Sequence, residues 1–287
     1  MTLGLLASGS LGQAVFERLI SSYKINFVLT DRQSEGIIAT AKKSAVTCYA
    51  GNPRNGKALE SLPTAQCDVL LSVNYLFLIE RDLIRLPKVL AVNIHGSLLP
   101  KYRGRTPHVW AIINNESITG ITAHVIDEAC DTGDIIDQLK ISIEPEDTGA
   151  DILNKFRESY TDFILTTLAA IENKSYTLRK QDNKLATYFG KRTPNDGQIN
   201  WSWQKERIKN WVRAQAKPYP GAFTYYSSKK ITIHKIKFSE HGYNNEEING
   251  KIVGIENGSP IVKTPNGCIT LVDFESEIKL NENMILL

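Results

Sequence analysis

Short, mostly apolar runs recur through the N-terminal part of the chain, at residues 3–7 (LGLLA), 26–29 (NFVL), 68–72 (DVLLS) and 90–94 (LAVNI). They are too short for helices and lack the apolar/polar alternation of a half-exposed strand, so they read as strands covered on both faces. Residues 12–23 carry helical patterning, and the stretch between Asp31 and Val46 has room for one helix and its turns before a further short strand. That alternation points to an α/β fold: a doubly wound, Rossmann-like sheet that offers its ligand crevice at the carboxyl ends of the strands.

The run at 90–94 carries polar groups at that end. Asn93 and His95 are two residues apart, so on a strand both side chains point to one face. SLLPKYRGR follows, a loop broken by Pro100 and Gly104, in which Lys101, Arg103 and Arg105 offer cationic donors to an anion. A helical segment at 107–114 and a strand at 119–126 then lead into the turn EACDTGD and Asp131, so the two polar ends can converge on one crevice. Taken singly, each residue has a bland reading: the Asn caps a turn, the His is structural, the Asp forms a turn. Together an amide, an imidazole and a carboxylate suit acyl transfer.

At 287 residues the chain has room for a substantial core in two unequal domains. We expect a first domain over 1–184 and a second over 185–287. The apolar start carries no basic leader and no run approaches the ~20 residues of a membrane helix, so the expectation is a cytoplasmic protein with no membrane contact. Cys48, Cys67, Cys130 and Cys268 are widely spaced and suggest neither a zinc site nor a disulfide framework. Cys130 adjoins Asp131, but its plain reading is a small turn residue. A net charge of +3 does not by itself suggest nucleic-acid binding.

One motif supports a rival class. Gly9 and Gly12 follow the first strand, and Asp31 lies where a ribose-binding acid would sit, as in a nicotinamide-dependent oxidoreductase. Ala7 replaces the first glycine of that fingerprint, however, and such a turn also serves a plain strand-to-helix passage or any phosphate. Later, residues 150–172 form the longest helical pattern, a packing helix with no assigned chemistry. Residues 173–184 read as a polar connector and hinge, and 205–214 as a helix. Five short strands then follow, at 222–226, 231–237, 250–255, 260–264 and 268–274, a spacing that suggests a small barrel of the OB type. Such a barrel alone leaves open a noncatalytic nucleic-acid-binding module; its apolar edges also suit a homodimer.

NIHGSLLPKYRGR followed by CDTGDII resembles the signature of the 10-formyltetrahydrofolate-dependent formyltransferases. YFGKRTPND (188–196), INWSW (199–203) and PYPGAFTY (218–225) are similar to later blocks of that family's nucleotide-sugar branch. The resemblance covers essentially the whole chain. It implies that Asn93, His95 and Asp131 are catalytic: His95 as general base to an amine, Asn93 as donor to the oxyanion, Asp131 orienting and stabilising His95. It implies that 10-formyltetrahydrofolate, with no metal, is framed by Phe77, Ile79, Ser97, Leu98, Leu99, Pro100, Asp127 and Cys130. For the acceptor it suggests Ser8, Ser10 and Arg105, with Lys191, Arg192, Tyr219 and Phe223 as weaker candidates.

The family also includes methionyl-tRNA formyltransferase, which shares the three residues and stands as the same-chemistry alternative. Residues 200–287 hold 12 Lys and Arg against 9 Asp and Glu, thin cover for a polyanion. The favoured acceptor is therefore a dTDP- or UDP-linked 4-amino-deoxy sugar destined for O-antigen or other surface polysaccharide.

Overall fold

The computed structural model describes residues 1–62 and 65–287. In chain order the N-terminal elements are β1 (Thr2–Ala7), α1 (Gly9–Ile20), β2 (Lys24–Thr30), α2 (Glu35–Lys43), β3 (Thr47–Ala50), α3 (Lys57–Ser61), β4 (Val69–Val73), α4 (Arg81–Ile84) and β5 (Leu90–His95). Then come β6 (Arg103–Gly104), α5 (Pro107–Ile113), β7 (Ile118–Val125), β8 (Ile135–Ser142), α6 (Gly149–Glu172) and β9 (Tyr188–Phe189). The chain finishes with α7 (Lys205–Ala214), β10 (Ala222–Tyr226), β11 (Lys229–Ser239), β12 (Ile252–Glu256), β13 (Ser259–Thr264) and β14 (Gly267–Ser276).

A seven-stranded sheet has the order β3-β2-β1-β4-β5-β7-β8. Its first five strands are parallel to one another, the doubly wound arrangement expected from the buried runs. From Leu3 to Ala7, β1 is buried at every position. α1 covers the sheet with Leu11, Val15, Phe16 and Leu19, the stripe of an amphipathic helix. Gly4 is needed because a Cβ there would fall inside the Phe27 ring on neighbouring β2.

β7 departs from this pattern. It pairs antiparallel with β5, setting His124 opposite Asn93 and Thr122 opposite His95. The end of β7 therefore points away from the carboxyl end of β5, and the simple convergence of two strand ends does not occur. The turn after β7 folds back instead, and the Val125 amide donates to the Asp134 carbonyl at 2.9 Å. Gly133 permits this, since a Cβ there would coincide with the Val125 carbonyl.

By internal contacts the chain forms two compact units. The first comprises Met1–Gly104, Gly120–Ile141 and Lys155–Tyr188; the second comprises Arg105–Thr119, Ser142–Asn154 and Phe189–Leu287. In the second, a five-stranded sheet runs β10-β11-β14-β13-β12, antiparallel at every pairing. The last residues bridge its two edges: Leu287 exchanges backbone hydrogen bonds with Tyr225, while Met284 and Leu286 bond to Ile252 and Gly250. This closes the sheet into the small barrel that the strand spacing suggested. Register shifts on β11 around Lys235 mark a bulge, which breaks the alternation after Ile233 and helps the strand to curve.

Candidate functional site

The antiparallel pairing gathers four polar side chains on one face. Asn93 and His95 share it on β5; Thr122 and His124 share it opposite. Over this face folds Asp131, whose own backbone is left-handed at φ 57°. Its Oδ1 lies 3.6 Å from His95 Nδ1 and 3.6 Å from His124 Nε2. Its Oδ2 accepts the Gly104 amide at 2.8 Å and faces the Cys130 thiol at 3.3 Å.

Partners fix the protons. His95 Nε2 lies 2.8 Å from the Tyr102 carbonyl, which can only accept, so that nitrogen carries the hydrogen. In a neutral ring the lone pair is then on Nδ1, facing Asp131. Burial is the largest influence on His95 and pushes its pKa below the ordinary histidine value, outweighing the opposite pull of Asp131. For Asp131 burial acts upward, but the neighbouring His95 and the hydrogen bond from the Gly104 amide hold its carboxyl well below the usual range. A neutral imidazole thus sits against an ionised carboxylate.

His124 was not anticipated from the sequence. Its Nδ1 donates to the Val125 carbonyl at 2.8 Å, leaving Nε2 to accept an amide hydrogen from Asn93 at 3.1 Å. The contact orients the Asn93 amide and leaves its second hydrogen for another acceptor.

A second group holds the turn. Gln181 Nε2 donates to the carbonyls of Asp131 at 2.9 Å and Gly133 at 2.7 Å. Its Oε1 accepts from Nε and Nη2 of Arg103 at 3.1 and 2.7 Å. Arg103 is 1% exposed and also donates to Asn183 and Tyr188. Hence Arg103 is not a free donor to an anion, as its place in SLLPKYRGR had suggested. The 173–184 connector likewise does more than link: the Arg179 backbone pairs with Ile135 on β8, and Gln181 clamps the Asp131 turn.

The SLLP loop is fixed from beneath. Thr122 Oγ1 donates to the Ser97 carbonyl at 2.6 Å and accepts the Leu99 amide at 3.2 Å. Ser97 Oγ donates to the Lys101 carbonyl at 2.7 Å, and Gln138 donates to the Leu99 carbonyl at 2.9 Å. Leu99 is buried, Leu98 and Pro100 are half-buried, and a Cβ at Gly120 would overlap Leu98. Ile79 packs against the apolar core below β4, and Phe77 stacks edge-on with Tyr75 at 5.6 Å. Exposed Asp127 accepts from Thr132. Ser8 is buried, whereas exposed Ser10 lies 3.5 Å from Arg157.

The remaining candidates belong to the second unit. Arg105 and Lys191 are exposed. The half-buried Arg192 guanidinium lies over Trp211 at 4.3 Å and Trp110 at 5.1 Å, and it donates to the Asp196 carbonyl and to Gln215. Phe223 is 5% exposed and packs with Tyr225 inside the barrel. The Tyr219 hydroxyl meets His108 Nε2 at 3.0 Å; burial lowers the His108 pKa to about 4, so that ring is neutral. Among the described residues no group of His, Cys, Asp or Glu could hold a metal ion, and no helix is long and apolar enough to cross a membrane.

Residues 13–168 match the family "Formyl transferase", and residues 191–284 match "Formyl transferase, C-terminal domain". The bifunctional polymyxin resistance protein ArnA of Wigglesworthia glossinidia brevipalpis is 36% identical over 231 residues, 77% of this chain and 35% of that protein. The chain thus spans about a third of the length of that relative. An N-formyltransferase from Helicobacter canadensis, solved with folinic acid and dTDP-3-aminofucose, superimposes with a TM-score of 0.71 at 21% identity, covering 94% of this chain and 97% of that one. WlaRD, a sugar 3N-formyl transferase solved with dTDP and 5-N-formyl-THF, gives a TM-score of 0.69 at 21% identity, covering 98% and 99%. At those identities the two superpositions establish a shared fold.

Proposed function

The chain belongs to the formyl transferase family, and from that premise we propose that it moves a formyl group from 10-formyltetrahydrofolate to the amine of a nucleotide-linked amino sugar. The observation that carries this reading is the pairing of a neutral His95 with an ionised Asp131 beside the Asn93 amide. An amine can attack the formyl carbon only with its lone pair free and with somewhere to send its proton. His95 Nδ1 takes that proton, and Asp131 beside it stabilises the resulting imidazolium.

Asn93 spends one amide hydrogen on His124 and gives the other to the oxyanion of the tetrahedral intermediate, a contribution on the order of 3 kcal/mol. Collapse breaks the bond from the formyl carbon to N10, and the proton returns from His95 to that nitrogen, with Asp131 assisting. The products are a formamide and tetrahydrofolate. We assign the folate to Phe77, Ile79, the Ser97, Leu98, Leu99 and Pro100 loop, and the turn from Asp127 to Cys130. Ser8 and Ser10, on the β1–α1 turn, are assigned to the acceptor's diphosphate. Surface polysaccharide synthesis and a cytoplasmic location follow from such an acceptor.

The test is incubation with 10-formyltetrahydrofolate and a panel of UDP- and dTDP-linked 3-amino and 4-amino sugars, with the formamide read by mass spectrometry. Formylation of at least one sugar, abolished by His95→Ala, is expected. Formylation of charged initiator tRNA with no sugar product would refute the acceptor, and tight NADH binding without folate binding would refute the chemistry.

A further inference from the structure

A cleft of about 510 Å³ opens among Asp31, Arg32, Tyr49, Gly51, Lys57 and Phe77. That volume lies in the range of pockets that hold small ligands, roughly 300–1,000 Å³. It is built on the residues just past the carboxyl ends of β2 and β3, the same end of the parallel strands that carries Asn93 and His95 on β5, but nearer the β3 edge of the sheet.

Its chemistry is specific. Asp31 is 7% exposed, yet hydrogen bonds from Ser34 and Gln33 hold its carboxyl below the usual range against the effect of burial. Each oxygen accepts one of those bonds and keeps a lone pair for another donor. Tyr49 and Phe77 contribute two aromatic rings, and the Tyr49 hydroxyl is tied to the Asn52 carbonyl at 2.9 Å, which fixes the ring. Arg32 and Lys57 are exposed, and among the described residues neither forms an ion pair. Beside the cleft residues, Thr30 Oγ1 and the Tyr75 hydroxyl are buried with no hydrogen-bond partner, an arrangement seldom kept without a use. The Ser34 hydroxyl, which donates to Asp31, also accepts the Gly9 amide at 2.9 Å, joining the cleft to the turn that carries Ser8 and Ser10.

We propose that this cleft binds the nucleoside of the acceptor, and that the nucleoside is a ribonucleoside. The claim rests on the acceptor being a nucleotide-linked sugar, as proposed above. A pyrimidine lies against Tyr49, the 2′ and 3′ hydroxyls donate to Asp31, and Arg32 and Lys57 supply a positive field beside the diphosphate, while Phe77 closes the cleft towards the folate. The sheet order sets the ruler: β2 and β5 are separated by β1 and β4, so Asp31 and His95 stand three inter-strand spacings apart, about 14 Å. That is the reach needed from a sugar amine, across the hexose and a diphosphate passing over the β1–α1 turn, to a ribose. A carboxylate at the end of β2 is the position from which doubly wound folds accept a ribose 2′ hydroxyl. A UDP-linked sugar is therefore favoured over a dTDP-linked one.

Titration of the whole chain with UDP, 2′-deoxy-UDP and dTDP, followed by calorimetry, tests this without turnover. UDP is expected to bind at least tenfold more tightly than either deoxynucleotide. Arg32→Ala with Lys57→Ala, both at exposed positions, should weaken UDP about tenfold or more and raise the acceptor KM by a similar factor. Asp31→Asn, with its fold checked by circular dichroism, should erase the preference for UDP over 2′-deoxy-UDP. Equal affinity for UDP and 2′-deoxy-UDP, or unchanged UDP affinity in the double variant, would overturn the assignment. Failure to formylate any sugar would sink the proposed activity while leaving the calorimetric result to stand or fall by itself.

Discussion

Gln181 offers a sharp test of how the Asp131 turn is held. Replacing it by Glu keeps the shape and the acceptor oxygen that Arg103 uses, but swaps the amide donor for an oxygen without hydrogens. That oxygen would face the carbonyls of Asp131 and Gly133, now at 2.9 and 2.7 Å from Nε2, and both contacts become repulsive. Two neutral hydrogen bonds are lost, about 1 kcal/mol each. The new carboxylate gains a charge-assisted contact with Arg103, which offsets part of that loss. Net stability should therefore stay within about 2 kcal/mol of wild type. Activity should suffer more, because relief of the repulsion moves the turn, and a displacement of about 1 Å at a reacting group can cost about 10²-fold. Urea unfolding should show a small change, while kcat for formyl transfer falls by roughly two orders of magnitude. A folded Gln181→Glu protein with kcat within about threefold of wild type would refute the clamp.

Other outcomes follow from the same geometry. Because burial depresses the His95 pKa, the acid limb of kcat/KM should lie below the ordinary histidine value of 6.5. Asp131→Asn removes the group that favours the imidazolium, so it should move that limb lower still and cut kcat at least ~10²-fold; an upward move in the pH-rate profile would contradict the pairing. His108 has a folded pKa of about 4, below its unfolded value of 6.5, so the unfolded chain binds more protons between these limits. Stability should fall by about 3 kcal/mol as pH drops through that window, and His108→Gln should flatten the dependence in pH-stepped urea unfolding. Gly133→Ala should destabilise by roughly 1–3 kcal/mol and reduce turnover, whereas Gly190→Ala, with nothing within 4 Å, should leave the melting temperature unchanged.

Much of this was legible in the chain. The buried runs announced a parallel sheet because helix cover on both faces leaves no polar side, and the five short strands announced a closed barrel. The family signature named Asn93, His95 and Asp131 because their types and order survive any fold. Other features were hidden for identifiable reasons. β8 (IIDQLKIS) mixes polar and apolar residues without the regular alternation that marks a half-buried strand. His124 sits inside an apolar run, where a lone histidine reads as filler, and only the register of β5 with β7 sets it against Asn93. Arg103 looked like an anion donor because sequence shows charge but not burial. Gln181 lies in a polar segment whose hydrogen-bond partners, Asp131 and Gly133, are 50 and 48 positions away.

The reversed strand has a consequence for how such a protein tolerates insertions and deletions. Successive side chains along a strand alternate faces, so a single residue added or removed between Ile118 and Ile121 would rotate His124 and Thr122 to the far side together. One such length change would unseat the amide at Asn93 and the loop at Ser97 simultaneously, while the same change at the exposed residues 144–146 would touch neither. Length in this strand is thus as constrained as the identity of any residue it carries.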